Sequence, residues 1–223
     1  MQSQWESSIA FIGGGPRTTG ILERLAKNSD SSTAALTVHI VEPFEPGSGR
    51  IWRREQSPLL KLNSLAADVT MFTDSSVQMA GPAAPGPSLI EWAVGIRQGS
   101  ITDVPVWETA VQRELESLEP DSFPTRILQA RYLQWCYARA VRALPPQIEV
   151  RIHRCLAESI EILDDGKHRV RLSAGFEPLI VDAVVLATGH SEPQRATGNA
   201  WSTERLRGTP RELVSTTFLH RRH

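Results

Sequence analysis

Gly13-Gly14-Gly15 closes the apolar run Ile9-Ala10-Phe11-Ile12, and Pro16-Arg17-Thr18-Thr19-Gly20-Ile21-Leu22 opens an amphipathic segment directly after it. Gly13 and Gly15 match the first two glycines of the G-x-G-x-x-G pattern. The first glycine of that pattern lets the chain turn sharply. The second has no Cβ, so a diphosphate can approach the backbone and meet the unpaired N–H groups and positive end of the following helix. Thr18 takes the third position, where the pattern wants Gly or Ala for close packing of helix on strand. Glu42 ends the next β-branched run, Thr37-Val38-His39-Ile40-Val41. A carboxylate at that strand end can accept hydrogen bonds from an adenosine ribose. The glycines alone are a weak signal. Strand, bend, helix, strand and acid in that order supply the context that gives them meaning, against the plainer alternative of an ordinary glycine turn with a solvated acid.

Other candidate residues follow the acid. Pro43 to Trp52 holds Pro43, Pro46, Gly47 and Gly49, which forbid regular structure, and Arg50, Arg53 and Arg54 cluster in or just after it. A loop at the carboxyl end of a strand lies where ligands bind in open α/β sheets. Its arginines read equally as phosphate contacts and as a solvated basic loop. Asn63 sits inside an apolar run, and if buried it needs partners that a bound ligand or the backbone could supply. Cys136 falls in a helical pattern and reads as a small core residue. His153 and His190 stand alone and read as structural, and no set of residues has the spacing of a metal site. No catalytic acid or base stands out.

The elements that must position these residues alternate between strand and helix. The first helix, with Ile21, Leu22 and Leu25 on its apolar face, should end near Asn28. Leu59 to Asp74 reads as a short buried turn of helix with strand-like flanks. Gly81 to Pro87 reads as a surface loop or lid hinge. Ser88 and Glu91 form a capping box that opens a helix running to about Arg97, and Trp107 to about Leu118 is a second helical stretch. Thr125 caps the clearest helix, Arg126 to Leu144, which Pro145-Pro146 stops. Ile148–His153 alternates like a strand, and the runs 158–163 and 168–172 are joined by the Asp164-Asp165-Gly166-Lys167 hairpin turn. Leu179 to Ala187 reads as one continuous apolar strand, buried on both faces, ending in Ala187-Thr188-Gly189. The region from about Pro43 to Thr125 therefore interrupts a βαβ core, as an insertion expected to shape a substrate site and cover a cofactor.

Composition excludes several classes. With 223 residues, 40% hydrophobic and 22% charged, the chain is ordinary for a globular protein. A formal net charge of −1 gives no electrostatic footprint for nucleic acid. No apolar run approaches the roughly 20 residues of a membrane helix, and the N-terminus lacks a basic stretch followed by an apolar core. The only cysteines, Cys136 and Cys155, make no disulfide framework, so a reducing, cytoplasmic setting is expected.

Taken together, Ile12-Gly13-Gly14-Gly15-Pro16-Arg17, Leu22-Glu23-Arg24-Leu25, Glu42-Pro43, Leu59-Leu60-Lys61-Leu62-Asn63, Arg131-Tyr132-Leu133 and Val185-Leu186-Ala187-Thr188-Gly189-His190 carry a resemblance. Over Ile9 to His190 the chain resembles the FAD/NAD(P)-binding flavoproteins, relatives of the flavin-dependent N-hydroxylases and Baeyer–Villiger-type monooxygenases. The resemblance implies an α/β fold: a Rossmann-like FAD-binding domain with a parallel central sheet, a small antiparallel β-meander and a helical insertion. It implies that Gly13, Gly14, Gly15, Pro16, Arg17 and Thr18 line the FAD diphosphate, with Glu42 on the ribose and Asn63 toward the flavin. Arg50, Trp52, Thr188 and Gly189 complete the expected cofactor site. Such enzymes continue with a second glycine fingerprint for NADPH, whereas Gly198 and Gly208 follow no strand. The expected organisation is an FAD-binding domain over residues 1–190 and a polar tail over 191–223 without a complete NADPH domain. The expected function is a flavoprotein oxidoreductase of monooxygenase type. It would act on a small molecule with NAD(P)H as distal reductant, the reductant site supplied within a homo- or hetero-oligomer. A non-catalytic flavin-binding module, half of a heteromeric enzyme and an NAD-dependent dehydrogenase are the alternatives.

Overall fold

A computed structural model of the chain describes residues 7–190, apart from 31 and 174. The chain divides into two units, Met1–His190 and Ser191–His223, and the expected polar tail lies outside the described residues. The first unit is built on a parallel sheet of β1 (Ser7–Ile12), β2 (Leu36–Val41), β3 (Ile148–His153) and β7 (Ala183–Leu186), in the order β3-β2-β1-β7. Ile9 pairs with Val38 on one side and Ala183 on the other, so β1 is central and its carboxyl end points into the glycine bend. A second sheet is antiparallel: β4 (Ala157–Ile162), β5 (His168–Leu172) and β6 (Leu179–Val181), in the order β4-β5-β6.

Helices α1 (Pro16–Asn28) and α4 (Arg126–Arg142) cover one face of the parallel sheet. Phe11, Val38 and Ile40 of the strands meet Leu22 and Ala140 there, in the dry contact that gives such layers most of their stability. The other face carries Ala10, Ile12 and Val41, packed on Val170, Leu172 and Val181 of the meander. Between β2 and β3 the insertion builds a core of its own. Helices α2 (Leu89–Arg97) and α3 (Thr109–Ser117) close on α4 around Trp92, Leu128, Tyr132 and Trp135. The Trp92 ring lies 5.6 Å from Tyr132 and 5.5 Å from Trp107, edge-on and tilted as aromatic quadrupoles prefer. Caps set these helices. The Ser88–Glu91 box is formed in full, and the Thr125 hydroxyl accepts the Leu128 N–H at 3.1 Å while donating to Glu114.

The structure bears on four expectations. Leu22 of α1 is buried, but Ile21 is 40% exposed, and the helix buries Thr18 and Thr19 beside Leu22 instead. The stretch 59–74 does form a short helical turn, the 3-10 helix Ala66–Asp68 with Ala66 buried, and its leading flank has one antiparallel bridge, Lys61 to Thr125, but no full strand, and Asn63 is exposed. The loop 81–87 is irregular and largely at the surface, the first of its two expected forms, and it is tied down where Arg24 of α1 donates to the Ala80 and Pro82 carbonyls and Tyr132 donates to that of Pro87. The apolar run 179–187 is not one strand. Asp182 breaks it by accepting both the Ser8 N–H, at 2.7 Å, and the Ser8 hydroxyl, at 3.1 Å. That exchange sends β6 into the meander and β7 into the parallel sheet. β7 is the edge of the described sheet and is half-exposed rather than buried on both faces.

Candidate functional site

The three glycines do different work. Gly13 has φ +109°, a conformation L side chains rarely adopt, and a Cβ there would stand 2.4 Å from the Ala187 carbonyl oxygen. At Gly14 a Cβ would reach Glu42 at 2.9 Å. These two residues let the ends of β1, β2 and β7 converge. At Gly15 a Cβ would meet nothing within 4 Å, so the backbone is bare toward an open cleft. Gly15 is also the N-cap of α1, with no side-chain cap, Pro16 following, and no acidic residue in the first turn. The N–H groups of Arg17 and Thr18 have no acceptor within the helix, which leaves an anion-binding end uncovered.

Thr18 is buried, and its hydroxyl donates to the Gly13 carbonyl at 2.6 Å. It fastens the bend from beneath rather than facing the cleft, which is how a threonine serves where the glycine pattern has a smaller residue. Glu42 is also buried, with its carboxylate accepting the N–H of Gly14 at 2.8 Å and of Phe44 at 2.9 Å.

The loop after β2 forms the opposite wall. Gly47 donates its N–H to the Gly14 carbonyl at 2.7 Å and lies so close to α4 that a Cβ would stand 2.5 Å from the Leu133 carbonyl oxygen. Gly49 presses on Gly15, where a Cβ would come within 3.1 Å of its Cα. Buried Ser48 accepts a hydrogen bond from Gln134 of α4, so the helix holds the loop in place. Between bend and loop lies a cleft of about 260 Å³. Gly15, Pro16, Arg17 and Glu42 form one side of it, Arg50 and Trp52 another, and Thr188 and Gly189 a third. Arg50 crosses the mouth to donate to the His190 carbonyl.

Eight of the expected site residues thus share one cleft. Gly13, Gly14 and Thr18 lie under it as support, and Asn63 is exposed and outside its lining. Ser48, Gly49, Ile51, Ala187 and His190 also line it. The pair of glycines flanking Ser48 was the sequence signal for two of them. The arginines divide: Arg50 faces this cleft, while Arg53 and Arg54 line a second hollow of about 260 Å³ with Phe44 and Arg154, on the far side of Ser48 and Gly49.

The histidines and cysteines take other places. His153 is not alone, since its Nε2 lies 2.9 Å from Nδ1 of His39 on the neighbouring strand. Burial of both rings, with the Arg151 charge beside them, holds their pKa values below the ordinary 6.5; for His39 the His153 ring adds to this. Cys136 is a core thiol that burial pushes up to about 12, far from a thiolate nucleophile. Among the described residues no group of three or more His, Cys, Asp or Glu could hold a metal ion, and no helix is long and apolar enough to cross a membrane.

The chain is similar to known proteins over most of its described length. Residues 10–191 match the family model described as FAD-NAD(P)-binding, from the middle of β1 through the bend, Glu42 and the Thr188-Gly189 strand end. Nitrosuccinic acid synthase npaA of Aspergillus oryzae is 38% identical over 185 residues, covering 82% of this chain and 26% of that protein. L-aspartate N-monooxygenase (nitrosuccinate-forming) of Streptomyces cremeus is 39% identical over 194 residues, covering 82% of this chain and 28% of that protein. The match to the solved ornithine N-hydroxylase of Kutzneria sp. 744 covers 81% of this chain and 36% of that one, at 14% identity and a TM-score of 0.42. The chain spans about a quarter of the length of the curated relatives it matches. With the family model running through every wall of the cleft, the chain belongs to the FAD-NAD(P)-binding family.

Proposed function

We propose that this chain is the FAD-holding part of a flavin-dependent N-monooxygenase, with a small amino acid of the aspartate class as substrate and NAD(P)H as reductant. One observation carries the reading. At the carboxyl end of a parallel sheet, a bare Gly15 backbone and an uncapped helix N-terminus face an open cleft, with Glu42 and Arg50 on its walls. A diphosphate fits there because Gly15 is the one glycine of the bend whose Cβ direction is empty. The substrate class comes from the names of the two relatives at 38% and 39% identity.

The residues divide the work. Gly15 and the first turn of α1 offer N–H groups to the diphosphate. Arg17 and Arg50 add positive charge on either side of it, and Arg50 exchanges the His190 carbonyl for a phosphate oxygen. Trp52 gives the cleft an apolar wall that excludes water from a bound ring. When bound, FAD supplies the redox chemistry, taking hydride from NAD(P)H and activating dioxygen. The reductant site lies in residues beyond the described ones or in another chain, and a cytoplasmic setting fits a reaction that draws on NAD(P)H.

The test uses the full-length protein that contains this chain. With FAD, NADPH and dioxygen it is expected to convert L-aspartate to nitrosuccinate and to oxidise NADPH in step. A protein that stays colourless with FAD yet binds NAD would overturn the flavoprotein reading in favour of a dehydrogenase. A yellow protein that oxidises no amino acid would overturn the monooxygenase reading alone.

A further inference from the structure

Among the described residues Glu42 is the one acid lining the cleft, and the protein itself already uses both its carboxylate oxygens. Oε2 accepts the Gly14 N–H at 2.8 Å, and Oε1 accepts the Phe44 N–H at 2.9 Å. The two donors belong to the two walls, Gly14 to the bend and Phe44 to the loop. Gly49 packs over the carboxylate, so that a Cβ there would stand 3.5 Å from Oε2, and the residue is 5% exposed. A buried carboxylate is costly unless hydrogen-bonded, and charge-assisted bonds from backbone N–H groups are among the strong ones.

The arrangement is a staple. Gly14 is held at its N–H by Glu42 and at its carbonyl by the Gly47 N–H, at 2.7 Å. Glu42 is held in turn, its N–H donating to the His153 carbonyl at 3.0 Å. A run of three glycines has no side chains of its own to choose one backbone conformation, so such fixing must come from outside. We infer that Glu42 is a positioning residue: on the reading of the cleft as a diphosphate site, it sets the geometry of the bend through Gly14 and of the loop through Phe44, over and above any contact with a sugar. Its reach therefore extends to the phosphates, which it does not touch.

Glu42→Gln tests this, because the amide keeps the size of the side chain but leaves one of the two backbone N–H groups without an acceptor. The probes are inorganic pyrophosphate and ADP, titrated into wild type and variant, with amide hydrogen exchange at Gly14 and Phe44 measured on the unliganded proteins. The expected result is a loss of affinity of about tenfold or more for both probes alike, with faster exchange at one or both amides in the variant. A residue that only grips sugar would leave pyrophosphate affinity unchanged, or raise it by removing a negative charge, and that outcome overturns the inference. The wild-type exchange is a separate test should the variant fail to fold. Both amides are expected to be protected, and exchange at the free-peptide rate would overturn the proposal by itself. Wild type that binds neither ADP nor FAD would overturn the reading of the cleft, while the amide protection would still stand or fall on its own.

Discussion

Two glycines of one bend are expected to answer to different measurements. Gly13 is held at positive φ against the Ala187 carbonyl, so Gly13→Ala should destabilise the fold by about 1–3 kcal/mol, read as a fall in the denaturation midpoint. Gly15 has ordinary φ and open space, so Gly15→Ala should leave the midpoint within about 0.5 kcal/mol of wild type while weakening dinucleotide binding. Equal destabilisation by both would mean that Gly15, too, is a packing residue. At this scale the sequence was informative where chemistry demands a residue type, as at Gly13, Gly15 and Glu42. It was silent on what Thr18 and Glu42 do with their oxygens, because a threonine under a bend and a threonine facing a phosphate have the same neighbours in sequence. Asn63 shows the opposite failure: an apolar neighbourhood in sequence did not mean burial in space.

Between elements, the His39–His153 contact joins β2 to β3. Burial holds both rings below their ordinary 6.5, and the Arg151 charge adds to this against an opposing contribution from Glu149 at His39. The folded state therefore binds fewer protons than the unfolded chain once the pH falls below that value. The stability present above pH 6.5 is lost as pH drops toward the folded-state values. A denaturant midpoint that declines between about pH 7 and 5 is expected, with a shallower decline in the His39→Gln/His153→Gln double variant. Identical slopes would contradict the contact. The pairing was hidden because the two residues lie 114 positions apart and only strand register brings them together. Helix positions were legible for the converse reason, since caps such as Ser88–Glu91 and Thr125 are local. The break at Asp182 was not, because its cause is a partner at Ser8, 174 positions away in sequence though on the adjacent strand.

For the whole described unit, the order β3-β2-β1-β7 brings the ends of β1, β2 and β7 to one place, and only there do bend, acid, loop arginine and Thr188-Gly189 meet. The central claim is that this place holds the diphosphate of FAD. The most direct measurement is a titration of the purified chain with FAD, followed by thermal unfolding, for wild type and Gly15→Asp. Saturable binding at one FAD per chain is expected. At a free FAD concentration a hundredfold above Kd, it should stabilise wild type by about 2.7 kcal/mol. Gly15→Asp should fold with the wild-type midpoint in the absence of FAD and lose that stabilisation, because its carboxylate would stand where the phosphates bind. A Gly15→Asp chain that binds FAD as wild type does, or a wild type whose unfolding FAD does not shift, would contradict the account.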